Sequence, residues 1–323
     1  MALRAGNSAQ LLHLLLLLLL STCFLLLPLS LDAQETNNNS AVPAAASLPP
    51  AFFFSFNFSN VSSYDSRDLY FEGNASARSN LVDLTCSSFG QDISDCTGRM
   101  SYKHPVPLYD DTTVASFSTS FTFVIQQVDD KDNSTNLGEG IAFFLSGYQS
   151  SLPPDSDGDD LGLLDYNVPA ASGAGQFVAV EFNSFYGCIG ININSATSSS
   201  QTDLPSGQEA NGTWIATINF NNITAMLVAS FRSVNNATTK PVEVRYVLQD
   251  NIKTLLPPEV EVGFSASTGD SPSVELNQIL AWSFNSTLAA PPTPHKGMST
   301  ARTSLFLTEA LNKYSLRFLF VTF

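Results

Sequence analysis

Residues 176–195, QFVAVEFNSFYGCIGININS, constrain the fold more than any other stretch. Two apolar runs, 177–182 and 188–193, flank a short break. In the second run Ile189, Ile191 and Ile193 alternate with Gly190, Asn192 and Asn194. That period places the three isoleucines on one face of a strand. The break at 183–187 suits a hairpin turn, with Gly187 free to take a positive φ. One acid, Glu181, stands inside the first run. A carboxylate in a buried strand requires a cation, a donor or a charge partner. The hairpin is therefore the first place to look for a site.

The same period recurs along the chain. Phe52, Phe54, Phe56 and Phe58 alternate with Phe53, Ser55, Asn57 and Ser59. Residues 69–73 read as a strand into a turn, and 98–107 carry Met100 and Tyr102 in alternation before prolines end them. Residues 115–125 set Phe117, Thr119, Phe121, Phe123 and Ile125 on one side. Residues 140–145, GIAFFL, are apolar throughout, as in a strand buried on both faces. Further strands are expected over 212–220, 223–231, 242–248, 259–267 and 278–284. No 3.6-residue periodicity persists before residue 300. Short strands joined by Gly, Pro, Asn and Asp turns predict an all-β sandwich or jelly roll, one domain over 51–286. Trp214 and Trp282 lie within apolar strands and are expected in its core.

The flanking segments have different chemistry. Residues 1–33 read as a signal peptide: Arg4, then a leucine-rich run, then small residues. The run is also long enough to serve as an uncleaved membrane anchor. Residues 34–50 are rich in Asn, Ala, Ser and Pro, a flexible entry. Residues 287–323 form a Pro-rich linker and an irregular tail. Glu309, Lys313 and Arg317 interrupt the tail's apolar clusters, so it makes a poor membrane span. Asn-x-Ser/Thr sequons occur at Asn38, Asn57, Asn60, Asn74, Asn133, Asn211, Asn222, Asn236 and Asn285. With the leader, they point to a secreted glycoprotein. A net charge of −15 argues against nucleic acid and anionic membrane as partners. Cys86 and Cys96 close a short loop and are expected to be disulfide-bonded in an oxidising compartment. Cys188 is then left as a buried thiol or an intermolecular bridge. Nothing has zinc-site spacing.

The segments SFSTSFTFVI (116–125), GEGIAFFL (138–145), DGDDLGLLD (157–165), QFVAVEFN (176–183), IGININS (189–195), LPPEVEVGFSASTG (256–269) and NQILAWSF (277–284) follow one another in this order. Together they resemble the legume-type lectin domain found in seed lectins and in the ectodomains of plant lectin receptor kinases. The resemblance covers Phe52 to about Phe284 and implies a concanavalin-like jelly-roll β-sandwich. It also implies carbohydrate binding in a pocket beside calcium and manganese. Glu139 stands where the family has a sugar-contacting Asp. Gly158 and Asp159 match its glycine-rich loop, and Asn183, Gly269 and Asp270 fall at the other pocket segments. Glu181 matches the acidic metal ligand, while Asn183 is a neutral amide at the next ligand position. The family has a longer loop here, with an aromatic, an Asn, an Asp and a His. In this chain 184–187 lead directly to Cys188, and His104 and His295 lie outside the motif. Calcium takes six to eight oxygen ligands and transition metals favour imidazole. No metal cofactor is therefore expected. The peptide before Glu139, cis in the family, is expected to be trans here, or its loop mobile.

The acids have alternative explanations. Glu181 is a metal ligand, or a strand-end carboxylate either bonded by Asn or Ser or exposed by the shortened loop. Glu139 accepts sugar hydroxyls or is solvated. Asp155, Asp157, Asp159 and Asp160 form a calcium site or a solvated loop. The whole reads as a secreted, apoplastic, lectin-like module with a degenerate metal site, whose partners are glycans or glycoproteins. The alternatives are an interaction scaffold that binds no sugar and, remotely, a glycoside hydrolase, although no closely spaced acid pair suits hydrolysis. A homodimer through flat sheet edges is conceivable, with glycans at Asn57, Asn60 and Asn222 opposing it. No span or kinase follows the domain in this sequence, which resembles a receptor ectodomain cut after its linker.

Overall fold

Period-2 alternation becomes two antiparallel sheets in the computed structural model, which describes residues 51–60, 64–87, 93–128, 138–235, 240–248, 252–269 and 274–288. In chain order the strands are β1 (Ala51–Asn57), β2 (Leu69–Gly73), β3 (Ser76–Ala77), β4 (Val82–Asp83), β5 (Thr97–Tyr102), β6 (Val106–Pro107), β7 (Ser116–Gln127) and β8 (Gly140–Gly147). There follow β9 (Phe177–Asn183), β10 (Cys188–Ile193), β11 (Ser198–Asp203), β12 (Gly212–Asn221), β13 (Met226–Ser233) and β14 (Val242–Val247). A one-turn helix α1 (Ile252–Leu255) precedes β15 (Glu259–Ser267) and β16 (Glu275–Thr287). The back sheet has the order β14-β13-β12-β7-β16-β4-β3, with β1 also on β16; the front sheet runs β11-β10-β9-β8-β15-β5-β2, with β6 on β15.

The two sheets meet in an aromatic core. Phe121 of the back sheet meets Phe264 of the front at 4.7 Å between ring centroids. Phe123 meets Phe182 at 5.2 Å, and Phe182 meets Trp214 at 4.8 Å. Both tryptophans are buried, as expected. Buried indoles need acceptors: Trp214 Nε1 donates to the Ala210 carbonyl at 2.8 Å, and Trp282 Nε1 to Thr119 Oγ1 at 3.0 Å. The phenylalanine alternation of β1 holds, with Phe54, Phe56 and Phe58 inside and Phe53 out.

A smaller apolar cluster lies on the outer face of the front sheet. There Ala142, Phe144, Phe177 and Ala179 are covered by Leu161, Leu163 and Leu164 from the loop between β8 and β9. That loop occupies the middle of the face and leaves an opening on each flank. It is the feature that places the candidate sites.

Three sequence expectations change. Residues 223–231 do not form one strand, because 222–225 turn first: Asn221 Oδ1 accepts from the Ile223 and Thr224 N–H groups at 2.9 and 3.0 Å. Residues 98–107 break after Tyr102 into a second, two-residue strand. The polar strand β11, SSSQTD, has no apolar signal at all. It is held by backbone pairing to β10 and by hydroxyls that reach the back sheet. Ser200 Oγ donates to the Arg245 carbonyl at 3.0 Å, and Thr202 Oγ1 to the Glu243 carbonyl at 2.9 Å.

Asn57, Asn60, Asn74, Asn211 and Asn285 are exposed, as glycan acceptors must be. Asn222 is half-buried, and its Nδ2 donates to the Val114 carbonyl at 2.6 Å. The nitrogen that would carry a glycan is thus engaged. Asn38, Asn133 and Asn236 lie outside the described residues. No helix among the described residues is long and apolar enough to cross a membrane.

Cys86 and Cys96 are disulfide-bonded, as the spacing predicts. The bridge ties the segment after β4 to the start of β5. Cys96 and Thr268 also exchange hydrogen bonds at 3.0 Å, which joins the bridge to the end of β15. Cys188 is a free, buried thiol. Replacing Cys86 and Cys96 together by Ser should lower unfolding stability by about 2–3 kcal/mol, the value for closing a loop this short. Denaturant titration of the two proteins checks it; equal midpoints would show that the bridge adds nothing.

Candidate functional site

One end of the front sheet gathers most of the polar groups singled out in the sequence. Register places Ala142 of β8 and Gly190 of β10 on either side of Glu181, and Gln201 of β11 beyond Gly190. Glu181 faces outward, since its neighbours Val180 and Phe182 belong to the core between the sheets. It is only 5% exposed. Ser198 Oγ donates to Oε1 at 2.6 Å, and Asn192 Nδ2 to Oε2 at 3.3 Å. This agrees with the expectation of a strand-end carboxylate bonded by Asn and Ser. The fit depends on Gly190: a Cβ there would collide with Glu181 Oε1 and Ser198 Oγ. Burial raises the Glu181 pKa, and the two hydrogen bonds partly offset it.

The turn after β9 is four residues long, with Gly187 at φ 65° as its tightness requires. Asn183 Oδ1 accepts from the Tyr186 N–H at 2.9 Å and so caps the turn. Phe185 and Tyr186 stand exposed at the tip, edge to face at 5.0 Å. Beside them opens a cleft of about 510 Å³, lined among others by Asp159, Glu181, Asn183, Tyr186, Gln201 and Asp203. Cys188 also borders it; burial, then the charges of Glu181 and Asp203, push its thiol up to about 11.

Of the sequence-derived sugar candidates, Asp159 and Asn183 therefore share a cleft. Glu139, Gly158 and Gly269 do not line it. Glu139 is half-buried with Oε2 shielded from water, so it is no simple solvated acid. The Gly158 N–H donates to Ser267 Oγ at 3.0 Å, and the Gly269 carbonyl accepts from the Asp95 N–H at 3.1 Å. Asp270 lies outside the described residues. The acidic loop is not uniformly solvated either: burial and the neighbouring acids raise Asp160 to about 6. Tyr148–Gln149 is the one cis peptide among the described residues, so Gly138–Glu139 is trans. No group of three or more His, Cys, Asp or Glu among the described residues is placed to hold a metal.

The residue that sequence reasoning missed is Glu275, at the start of β16. It is wholly buried. Its Oε2 accepts from the Gly138 N–H at 3.1 Å, and its Oε1 lies 2.7 Å from Ser184 Oγ. Ser184 Oγ is also 3.0 Å from the Gly138 carbonyl. Glu275 thus joins the back sheet to the start of β8 and the turn after β9, the two segments that frame the site. Burial raises its pKa from 4.5 to about 8. Ser184 Oγ is the donor to Oε1, and this bond and the Gly138 N–H partly offset the rise. A signal was available: Glu275 is an acid at the head of an apolar strand, the same clue that singled out Glu181.

The sequence pattern of the legume lectin domain matches residues 54–300. Bark leucoagglutinin of Maackia amurensis is 36% identical over 252 residues, 73% of this chain and 83% of the agglutinin. Among solved structures, lectin I-B4 of Griffonia simplicifolia in a metal-free form superimposes with a TM-score of 0.63 at 27% identity, over 73% of this chain and 100% of that one. Arcelin-5, a lectin-like defense protein of Phaseolus vulgaris, gives 0.62 at 26% identity, over 73% and 99%.

The sign of the pH dependence follows from Glu275. Its folded pKa exceeds the unfolded value, so between about 4.5 and 8 the folded state keeps a proton that the unfolded chain releases. Its contribution to stability is full below that window and is lost as pH rises through it. The urea midpoint should fall from pH 5 to pH 8.5, and Glu275→Gln should flatten the slope, a difference on the order of a few kcal/mol. Asp160 leaves a smaller residual slope of the same sign. Parallel slopes in the two proteins would show that Glu275 ionises freely.

Proposed function

The chain belongs to the legume lectin family, and on that premise we propose a secreted, glycosylated carbohydrate-binding protein whose cleft is held by its own side chains rather than by calcium and manganese. The observation that carries this is the state of Glu181. Both its oxygens are engaged, by Ser198 and Asn192. Asn183 Oδ1 is turned to the Tyr186 N–H. The turn between them adds Ser, Phe, Tyr and Gly, with no acid and no imidazole. These residues do not fit a calcium ion that takes six to eight oxygens, nor a transition metal that favours imidazole. The metal-free relative of the same fold supports a sandwich that stands without ions.

What remains suits weak recognition of a sugar. Asp159, Asp203 and Gln201 border the cleft with acceptors and an amide donor, and Tyr186 offers an exposed ring at its lip. Polar groups that fix hydroxyls beside an aromatic face are what a pyranose requires. We assign no catalytic residue; the relatives it matches are lectins. Residues 1–33 serve as the leader in this proposal, and the exposed sequons carry the glycans. A second reading is an extracellular interaction scaffold that binds no sugar. It is favoured by Glu139 and Gly269 lying outside the cleft.

Calorimetry or a glycan array should find weak binding that is equal in calcium plus manganese and in EDTA. Tyr186→Ala should weaken it by about five- to tenfold, or ~1–1.4 kcal/mol. Micromolar monosaccharide affinity abolished by EDTA would overturn the metal-free cleft. No binding to any glycan would favour the scaffold.

A further inference from the structure

The outer face of the back sheet carries an aromatic ring that the core does not absorb. β1 alternates strictly, and Phe54, Phe56 and Phe58 are 7%, 4% and 0% exposed. Phe53 points the other way and is 69% exposed. It lies on an edge strand, since among the described residues β1 pairs with β16 alone. An apolar ring at a sheet edge invites association with other chains.

Register shows what stands beside that ring. Phe53 is the antiparallel partner of Asn285 in β16. Asn285 is exposed, whereas Phe284 and Ser286 on either side of it are buried, so it shares the outer face with Phe53. Side chains directly opposite in an antiparallel pair have Cβ atoms about 4.5–5.5 Å apart. Asn285 is also the acceptor of the sequon Asn285-Ser286-Thr287. On its other side it pairs with Ser118 of β7, which pairs in turn with Asn219 of β12. A sugar on Asn285 therefore has an exposed ring on one side and short polar side chains on the other. Asn57, a second sequon on this face, is opposite Ala281 and has no ring as its cross-strand partner.

The chemistry of an N-glycan's first residue suits this place. N-acetylglucosamine presents C–H groups on the faces of its pyranose and a methyl on its acetamide. Such hydrogens pack against an aromatic face through dispersion and through the negative face of the ring. The sugar hydroxyls remain in water. Attachment to the neighbouring side chain supplies a high effective concentration, so a contact too weak to capture a free sugar forms here.

We propose that Asn285 is glycosylated and that its first N-acetylglucosamine packs on Phe53, a cap that fastens β1 to β16 from outside and closes this edge of the back sheet to other chains. The proposal rests on the reading of the chain as a secreted glycoprotein. It leaves the cleft beside Glu181 open, because that residue belongs to the front sheet.

The full chain secreted from a eukaryotic cell tests it, as the unchanged protein, Asn285→Gln, Phe53→Ser and the double variant. Both positions are exposed, so all forms should fold. Peptide mapping by mass spectrometry should find Asn285 occupied in the unchanged protein. In denaturant titrations either substitution should shift the folding equilibrium towards the unfolded state by about fivefold. The double variant should lose little more than either single one, as coupled partners do. Trimming the glycan to its first sugar should leave the midpoint unchanged. In NMR spectra the protons of that sugar should show upfield ring-current shifts that disappear in Phe53→Ser. Additive losses in the double variant, or sugar protons indifferent to Phe53→Ser, would overturn the packing and leave the glycoprotein reading intact. A bare Asn285 would overturn the proposal, and bare Asn57, Asn60, Asn74 and Asn211 besides would overturn the glycoprotein reading with it.

Discussion

A carboxylate withdrawn from water has to be compensated, and the sandwich withdraws three, two from the front sheet and one from the back. Glu181, Glu261 and Glu275 are 5%, 3% and 0% exposed. Leaving such groups bare would cost more than a domain of this kind has to spare. Each is compensated by donors of the chain itself, and each in doing so fastens a different segment. Glu181 draws β11 and the bend before it onto β9 through Ser198 and Asn192. Glu261 holds the strap after β8 through the Ser150 N–H. Glu275 ties the first residues of β8 to the turn after β9 through Gly138 and Ser184. β11 with its bend and the turn after β9 border the cleft beside Glu181. Their order follows from where the acids are buried.

On the proposed reading, this arrangement is what would keep the binding surface formed without ions. A loop that is already fixed costs less to order when a ligand arrives. A metal pair fixes loops by strong, short-range coordination. Here hydrogen bonds to buried acids do so, each weaker and each dependent on exclusion of water. The raised pKa values of all three acids have burial as their largest cause, which is the signature of that exclusion. Removing one partner is then worse than removing both. The acid left behind remains buried, with nothing to offset its desolvation.

Much of the sandwich could be read in advance because its strands bury one face each. The phenylalanines of β1 and β7 and the isoleucines of β10 alternate as their neighbours do in space. β11 escaped because SSSQTD has no apolar residue to alternate; its place is set by pairing and by hydroxyl contacts to the back sheet. The site was half legible. Glu181 stood out as an acid among apolar residues, and its partners Ser198 and Asn192 lie close in sequence. Glu275 has partners at Gly138 and Ser184, far away in the chain and joined to it only by the packing of one sheet on the other. Glu139 and Gly269, singled out from a family resemblance, do not line the cleft that Asp159 and Asn183 share.

Direct titration of metal ions into the protein tests the central claim. The whole domain, stripped with EDTA and dialysed, is titrated calorimetrically with calcium and then manganese, and its melting temperature is read with and without each ion. Side chains that already satisfy Glu181 and cap the turn at Asn183 predict no saturable heat and no shift in melting. One-to-one uptake of either ion at micromolar affinity, with a higher melting temperature and loss of both in Glu181→Gln, would show that the cleft is a metal site after all.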